Sequence, residues 1–215
     1  MTYDELKTQV ANYLNRSDLA SQMDTFIDLT EAEINKVIKH QDMMKRAVAT
    51  ADNRYMQLPG DWISSINIEL NTSDHTVLMQ QSIESLDLKR ASIDNVSGRP
   101  EYFAILDDAI ELCPTPDTTY ELQLTYYATV PGLSSTNTSN FVSEKFPDIY
   151  VYGCCKHASI YLMEDERIPL FQGLFDKALE EVRMQQERAS FGKGSLLPRR
   201  RTYGKVNKQT YYFKD

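Results

Sequence analysis

Apolar residues near the N-terminus recur at spacings of three and four, which is typical of one face of an amphipathic helix. This pattern predicts two helices, over residues 2–14 and 21–40, joined by the polar stretch 15–18. Thr2 and Glu5 have the spacing of a capping box, which marks the beginning of a helix. Two helices joined by a short loop are expected to form an antiparallel hairpin. The inward face of the second helix is predicted to hold Phe26, Ile27, Thr30, Ile34, Val37 and Ile38.

The apolar period then changes to two, which predicts about six short β-strands within residues 46–130. In the strand expected at 63–70, Ile66 is predicted to face the same side as the apolar residues that follow it at every second position. A short helix is expected at 82–90, with Ser82 as its cap. The stretch 131–143 is rich in Ser, Thr and Asn, which predicts a polar loop that does not pack against the core.

Two long helices are predicted after this loop, over residues 147–163 and 169–190. The first is apolar on most sides, and a helix of that kind is usually buried on most sides. We therefore expect it to be the most buried element. The second is amphipathic, with charged residues on its outer face. The inward side of the first helix is predicted to hold Val151, Cys154, Cys155, Ala158, Tyr161 and Leu162.

The order of these elements is helix, helix, strands, helix, helix, tail. Strands that are segregated from helices, without a repeating strand–helix–strand pattern, indicate an α+β fold with a mostly antiparallel sheet. The sequence thus predicts an N-terminal helical hairpin, a mostly antiparallel β region, a C-terminal long helix pair and an extended C-terminal arm. We expect residues 1–190 to form a single body and residues 191–215 to form the arm.

Charge is distributed unevenly between the body and the tail. The 215-residue chain has a formal charge of −8. Residues 190–215 hold seven Lys and Arg and one Asp, which is +6, so residues 1–189 carry −8 − 6 = −14. The sequence is therefore an acidic body with a basic tail.

Other features of composition exclude several classes of protein. No apolar run approaches the roughly 20 residues that a membrane span needs, so no membrane partner is expected. The acidic, polar first residues do not resemble a secretory signal. Three cysteines, two of them adjacent, form no disulfide framework and favour a reducing compartment.

The tail combines positive charge with aromatic residues and has no clear helical or strand period. Solvated disordered tails are poor in aromatic residues, which argues against a purely solubilising role. We expect an arm that becomes ordered on a partner, either nucleic acid or an acidic protein surface. Its predicted contact residues are Leu196, Leu197, Arg199, Arg200, Arg201, Tyr203, Lys205, Lys208, Tyr211, Tyr212 and Phe213.

Candidates for catalysis or metal binding are few. Cys154, Cys155 and His157 have the spacing of a partial metal site, but structural sites of this kind need about four ligands. Thiols on an apolar helix usually pack as small hydrophobic groups. Asp107-Asp108 reads as a hairpin turn rather than a carboxylate pair that binds a metal. The sequence therefore predicts no catalytic residue, no cofactor and no metal, and the protein is not expected to be an enzyme.

Several segments, in their order and spacing, resemble the head-to-tail adaptor proteins of tailed bacteriophages, which are also called head-completion or connector proteins. The resemblance covers most of residues 1–190. It rests on the segments Met1–Leu6, Ile27–Asn35, Tyr126–Ala128, Phe146–Tyr150, Ala158–Leu162 and Phe175–Leu179.

The resemblance implies a structural protein of the virion, located at the head–tail interface and made in the host bacterial cytoplasm. It implies a ring, commonly of twelve subunits, that docks beneath the portal protein, extends the DNA channel and seats the tail or nozzle proteins. DNA would pass through without sequence-specific binding, and the arm would contact the portal or a neighbouring subunit. Two other functions stay open: a DNA-binding or packaging accessory protein that uses the basic tail, and a metal-dependent hydrolase.

Overall fold

The protein was analysed as a computed structural model that describes residues 1–72 and 76–190. The chain begins with two helices, α1 (Tyr3–Leu14) and α2 (Met23–Val37). The predicted capping box is present, because the Thr2 hydroxyl accepts from the Glu5 amide and the Glu5 carboxylate accepts from the Thr2 amide. The second helix is shorter than predicted. Val37 therefore lies at its end and is 54% exposed, so its predicted inward position is wrong.

Within the described residues, a short 3-10 helix (Gln41–Met43), eight strands and one α-helix follow. The helix α3 (Ile83–Ser92) is capped by the Ser82 hydroxyl, as the sequence predicted. The strands are β1 (Met44–Ala51), β2 (Tyr55–Gln57), β3 (Trp62–Leu70), β4 (Thr76–Val77), β5 (Met79–Gln80), β6 (Tyr102–Leu106), β7 (Ala109–Cys113) and β8 (Tyr120–Ala128).

The strands form two four-stranded sheets, in the orders β1-β8-β3-β4 and β2-β7-β6-β5. All pairs are antiparallel except β5 with β6. Apolar side chains from both sheets share one core, which includes Ile68, Leu122 and Leu124 from the first sheet and Ile110 and Leu112 from the second. The predicted fold class, α+β with a mostly antiparallel β region, is confirmed.

A bulge in β3 changes the predicted alternation of that strand. The register against β8 shifts between Ser65 and Asn67, so that Ile66 has no paired position. An extra residue in a strand reverses the facing of the residues on one side of it. Ile66 is 45% exposed as a result, and its predicted inward position is wrong.

The stretch predicted as an unpacked polar loop is partly helical and largely anchored. A short helix, α4 (Phe141–Lys145), begins at Asn140, whose side chain accepts from the Ser143 amide. Leu133 and Val142 are buried in the same core as the long helices. The polar composition led to a wrong prediction because Asn and Ser side chains of this stretch form hydrogen bonds to the backbone, including the cap of α4.

Two long helices end the described chain, α5 (Pro147–Tyr161) and α6 (Ile168–Ser190). The helical core lies between four helices, α1, α2, α5 and α6. The predicted burial of α5 holds for most of its length, but Tyr161 is 55% exposed and Leu162 is only half-buried. Both lie at the corner before α6, where the Tyr161 ring meets Phe26 of α2 edge to face and Leu162 packs against the margin of the helical core. No helix within the described residues is long and apolar enough to cross a membrane.

Helices α2 and α5 approach each other closely at a glycine. A Cβ atom placed on Gly153 would lie 2.4 Å from Thr30 Cγ2 and 3.0 Å from Phe175 Cε2 of α6. No side chain larger than hydrogen fits there without movement of a neighbour. Gly153 therefore sets the distance between three of the helices that form the helical core.

Candidate functional site

The adjacent cysteines of α5 are buried in an environment that opposes ionisation. Burial raises the pKa of Cys154 to about 12 and that of Cys155 to about 12. Because the thiolate is the form that binds metals and acts as a nucleophile, both side chains are held in their unreactive form. Across residues 1–72 and 76–190, no group of three or more His, Cys, Asp or Glu side chains is placed to hold a metal ion.

The Asp107-Asp108 pair occupies the turn between β6 and β7, as predicted. Leu106 pairs with Ala109, so the two aspartates are the loop of a tight hairpin. Asp107 has a φ of 55°, a left-handed conformation that Asp tolerates in turns. Both side chains are exposed, and the structure gives them a turn-forming role.

A buried carboxylate on α2 fastens the segment before α4 to the helices. Glu31 is 8% exposed, and its Oε1 accepts from the Leu133 amide at 2.7 Å and from the Tyr150 hydroxyl at 3.0 Å. The Asn140 side-chain amide donates to the Tyr150 oxygen at 2.7 Å and to the Pro131 carbonyl at 2.8 Å. These contacts join α2, α5 and the segment 130–140. We call Glu31, Leu133, Asn140 and Tyr150 the Glu31 clasp.

Burial dominates the electrostatics of the clasp. It raises the pKa of Glu31, although the two donated hydrogen bonds act in the opposite direction. Burial and the neighbouring Glu31 carboxylate also raise the pKa of Tyr150, so its hydroxyl stays a donor. Sequence reasoning missed this cluster. The available signal was a carboxylate, Glu31, directly beside the inward Thr30 on an amphipathic helix.

A second polar cluster joins α2, α5 and α6. Lys156 is 3% exposed, forms an ion pair with Glu33, and places its ammonium 4.4 Å from the centre of the Phe175 ring. His157 Nε2 lies 3.2 Å from Glu33 Oε1. Burial, followed by the charge of Lys156, lowers the pKa of His157. Lys156 therefore pairs with Glu33 and packs on Phe175, whereas the buried Nε2 of His157 makes no hydrogen bond with the described residues.

A third cluster stabilises the second sheet. Glu111 of β7 is 2% exposed and accepts from Arg54 at 2.6 Å and from Arg90 of α3 at 2.8 Å. Arg90 also donates to the Leu112 carbonyl at 3.0 Å. A buried charge of this kind is tolerated when its partners satisfy it. The cluster fixes α3 to the end of β7.

Two open grooves lie on the helical part of the surface. The α1–α5 groove has a volume of about 480 Å³ and the α2–α6 groove about 240 Å³. The α1–α5 groove is lined by Met1, Glu5, Gln9, Tyr13, Pro147, Asp148, Val151 and Tyr152. The α2–α6 groove is lined by Val37, Ile38, Lys39, Leu179, Val182, Arg183, Gln186 and Glu187.

The corner between α5 and α6 exposes large apolar side chains. Ile160 is 51%, Tyr161 55%, Met163 85% and Leu170 59% exposed. Exposed apolar residues grouped in this way are typical of surfaces that contact other proteins. The described residues therefore form helices and sheets that buried polar contacts hold together. They also expose several surfaces suited to contacts with other proteins.

Comparison with known families agrees with this arrangement. The model of the family described as SU10 adaptor protein matches residues 1–200, which include every described helix and strand. The chain belongs to the SU10 adaptor protein family. This is a family of phage head-to-tail adaptors, so the predicted resemblance is confirmed. No curated protein matches the chain.

The arm predicted from the sequence lies outside the described residues. All of its contact residues, from Leu196 to Phe213, follow the last described position, 190. The SU10 adaptor match reaches residue 200 and therefore includes Leu196 and Leu197 but ends within the arginine run. The arm and its contacts stay a prediction, as does the division of the chain into one body and an arm.

Proposed function

We propose that this protein is a structural adaptor that forms a ring, commonly of twelve subunits, beneath the portal of a tailed phage. The ring extends the DNA channel and provides the surface to which tail or nozzle proteins attach. The observation that carries this proposal is membership of the SU10 adaptor family over residues 1–200. The protein acts without catalysis, is part of the virion at the head–tail junction, and is made in the host cytoplasm.

The polar contacts that join the helices internally support a structural role. The Glu31 clasp and the Lys156–Glu33 pair join α2, α5 and the segment 130–140 through buried polar contacts. Fully satisfied buried polar groups favour a single, well-defined packing. A subunit with such packing keeps its contact surfaces in fixed positions when it becomes part of a ring.

The charge distribution supports a channel through which DNA passes without tight binding. Residues 1–189 carry −14. Tight binding to DNA depends on the neutralisation of its phosphates by Lys and Arg, and an acidic body does not supply it. The basic arm then contacts a protein partner, either the portal or a neighbouring subunit.

Complementation of a phage that lacks this gene tests the function. Without the protein, we expect DNA-filled heads that carry no tails, and the full-length chain should restore tailed particles. A chain truncated after Gly192 should keep the melting temperature of the body but fail to attach to heads. Tailed particles that form without the protein would contradict the adaptor role, and normal attachment of the truncated chain would contradict the role of the arm.

The basic tail is the observation that favours the alternative function, DNA binding. Titration of duplex DNA with the full-length chain at several salt concentrations distinguishes the two functions. The adaptor function predicts weak binding without sequence preference. Tight, strongly salt-dependent binding that disappears in the chain truncated after Gly192 would favour the packaging accessory protein.

A further inference from the structure

The α1–α5 groove carries negative charge that no basic side chain neutralises. Its described lining includes Glu5 and Asp148 and holds no Lys or Arg. Asp148 makes no hydrogen bond or ion pair with the described residues, whereas the Glu5 carboxylate accepts from the Thr2 amide at 2.8 Å. The terminal amine of Met1 attracts Glu5 but donates to the Ser143 carbonyl. The groove therefore favours a ligand with positive charge.

Two tyrosines form an aromatic wall in the same groove. Tyr13, which is 54% exposed, and Tyr152 meet edge to face, with their ring centres 6.4 Å apart. Arginine is the cation that best uses such a wall, since its flat guanidinium stacks on aromatic rings and also pairs with carboxylates. Carboxylates beside the exposed Tyr13 and the half-buried Tyr152 thus favour a segment that contains arginine.

The α2–α6 groove has the opposite electrostatic character. Its lining holds Lys39 and Arg183 against the single carboxylate of Glu187. Arg183 already forms ion pairs with Glu180 and Glu187 on the outer face of α6. A basic segment is therefore expected to prefer the α1–α5 groove.

We propose that the α1–α5 groove binds the basic C-terminal segment of a second copy of this chain, with Arg199–Arg201 at the carboxylates and Tyr203 against the tyrosine wall. The inference rests on the proposed function, since a ring brings copies side by side. Arg200 lies ten positions after Ser190 in the sequence. An extended chain of that length spans about 33–36 Å, which is about the diameter of a small domain.

The position of α6 favours a second copy over the same copy. Phe175 of α6 packs against α5 beside Gly153 and Lys156. The groove is lined by α1 and by the first turns of α5, whereas the last turns of α6 lie against the end of α2, where the Gln41 amide donates to the Gln186 side chain at 3.2 Å. The tail of the same chain would have to pass around the end of α5 before it could enter the groove.

Photo-crosslinking of the full-length protein tests the contact. Benzoylphenylalanine is placed at position 203, and nitrogen-15-labelled and unlabelled copies are mixed in equal amounts before irradiation. We expect crosslinks that join a labelled to an unlabelled chain and that end in α1 or in the first two turns of α5. Their yield should fall as salt is raised, because screening weakens exposed charge pairs. The same probe at Tyr55, an exposed position on β2, should not reach the groove.

A matched pair of variants tests the charge contribution. Asp148→Asn should lower the yield of these crosslinks about two- to fivefold, as expected for loss of one exposed charge pair. Asp165→Asn, at the exposed corner before α6, should leave the yield unchanged. Crosslinks within single copies only, crosslinks to the α2–α6 groove, or an equal effect of the two variants would each overturn the proposal.

Failure of this inference is distinguishable from failure of the proposed function. A ring in electron micrographs together with crosslinks elsewhere would overturn the groove contact and leave the adaptor role intact. Crosslinks between copies at the groove, in a protein that forms no ring on heads, would support the contact and contradict the adaptor role.

Discussion

Individual polar residues inside the helical core set how its segments fit together. Glu31, Asn140 and Tyr150 are all buried, and each makes hydrogen bonds. A buried polar group that loses its partner costs more than the pair contributes when complete. Small changes at these positions should therefore have large effects on the stability of the fold.

Tyr150→Phe removes one hydroxyl from the Glu31 clasp. The Glu31 carboxylate loses a donor and the Asn140 amide loses an acceptor, so we expect the free energy of unfolding to fall by about 1–3 kcal/mol. Urea denaturation followed by circular dichroism measures this change. Tyr161→Phe is the matched control, because Tyr161 is 55% exposed, and its effect should stay within about 0.5 kcal/mol. Equal effects of the two substitutions would contradict the role of the clasp.

The buried carboxyl of Glu31 should make stability depend on pH. Its pKa is raised in the folded protein above the ordinary value of 4.5, so the folded state holds this proton more tightly than the unfolded state does. The stability it contributes is present below pH 4.5 and is lost as the pH rises through the raised pKa. In the Glu31→Gln variant the side chain cannot ionise, so this loss of stability at higher pH does not occur.

Parallel urea titrations from pH 4 to pH 8 measure this difference. The stability of the parent protein relative to Glu31→Gln should decline as the pH rises, while other groups titrate equally in both proteins. If the stability difference between the parent and Glu31→Gln stays constant, or changes in favour of the parent as the pH rises, then burial does not disfavour ionisation of the Glu31 carboxyl.

Secondary-structure elements followed from the sequence wherever one local pattern dominated. The capping box of Thr2 and Glu5 and the hairpin turn at Asp107 are short-range signals, and the structure contains both. The short helix α4 begins with a local cap, Asn140 on the Ser143 amide, which the polar composition of the stretch concealed. The bulge at Ile66 depends on the pairing with β8, a strand far away in the chain, which periodicity does not report. The Glu31 clasp was missed for the same reason, since Tyr150 is 119 residues from Glu31.

The crossing of α2, α5 and α6 depends on the small size of one residue. In Gly153→Ala, the new methyl group would meet Thr30 and Phe175 at 2.4 Å and 3.0 Å. Overpacking of this kind typically costs about 1–3 kcal/mol, despite the higher helix propensity of alanine. Gly173→Ala in α6 is the matched control, because its Cβ would meet nothing within 4 Å. That variant should gain about 0.5–1 kcal/mol from helix propensity.

Thermal and urea unfolding of both glycine variants measures these effects. The two substitutions should change stability in opposite directions. If Gly153→Ala is as stable as the parent, the helices are not held at the distance that the structure describes, and the close packing of α5 against α2 is wrong.

The whole molecule combines an acidic, internally braced body with surfaces suited to other proteins. The apolar corner around Met163, the α1–α5 groove and the open edge of β1 all face outward from the described residues. Subunits that expose complementary but different surfaces join head to tail, and such contacts close into rings when the rotation permits. The rotation between neighbouring subunits fixes the number of subunits in the ring.

A reconstruction of the head–tail junction by electron cryomicroscopy, at a resolution that shows helices, is the most direct test of the adaptor role. We expect a ring of this protein coaxial with the portal, with α5 and α6 recognisable in each subunit and the DNA channel continuous through the centre. A junction in which portal and tail proteins meet directly, with this chain absent or placed inside the head on DNA, would contradict the account.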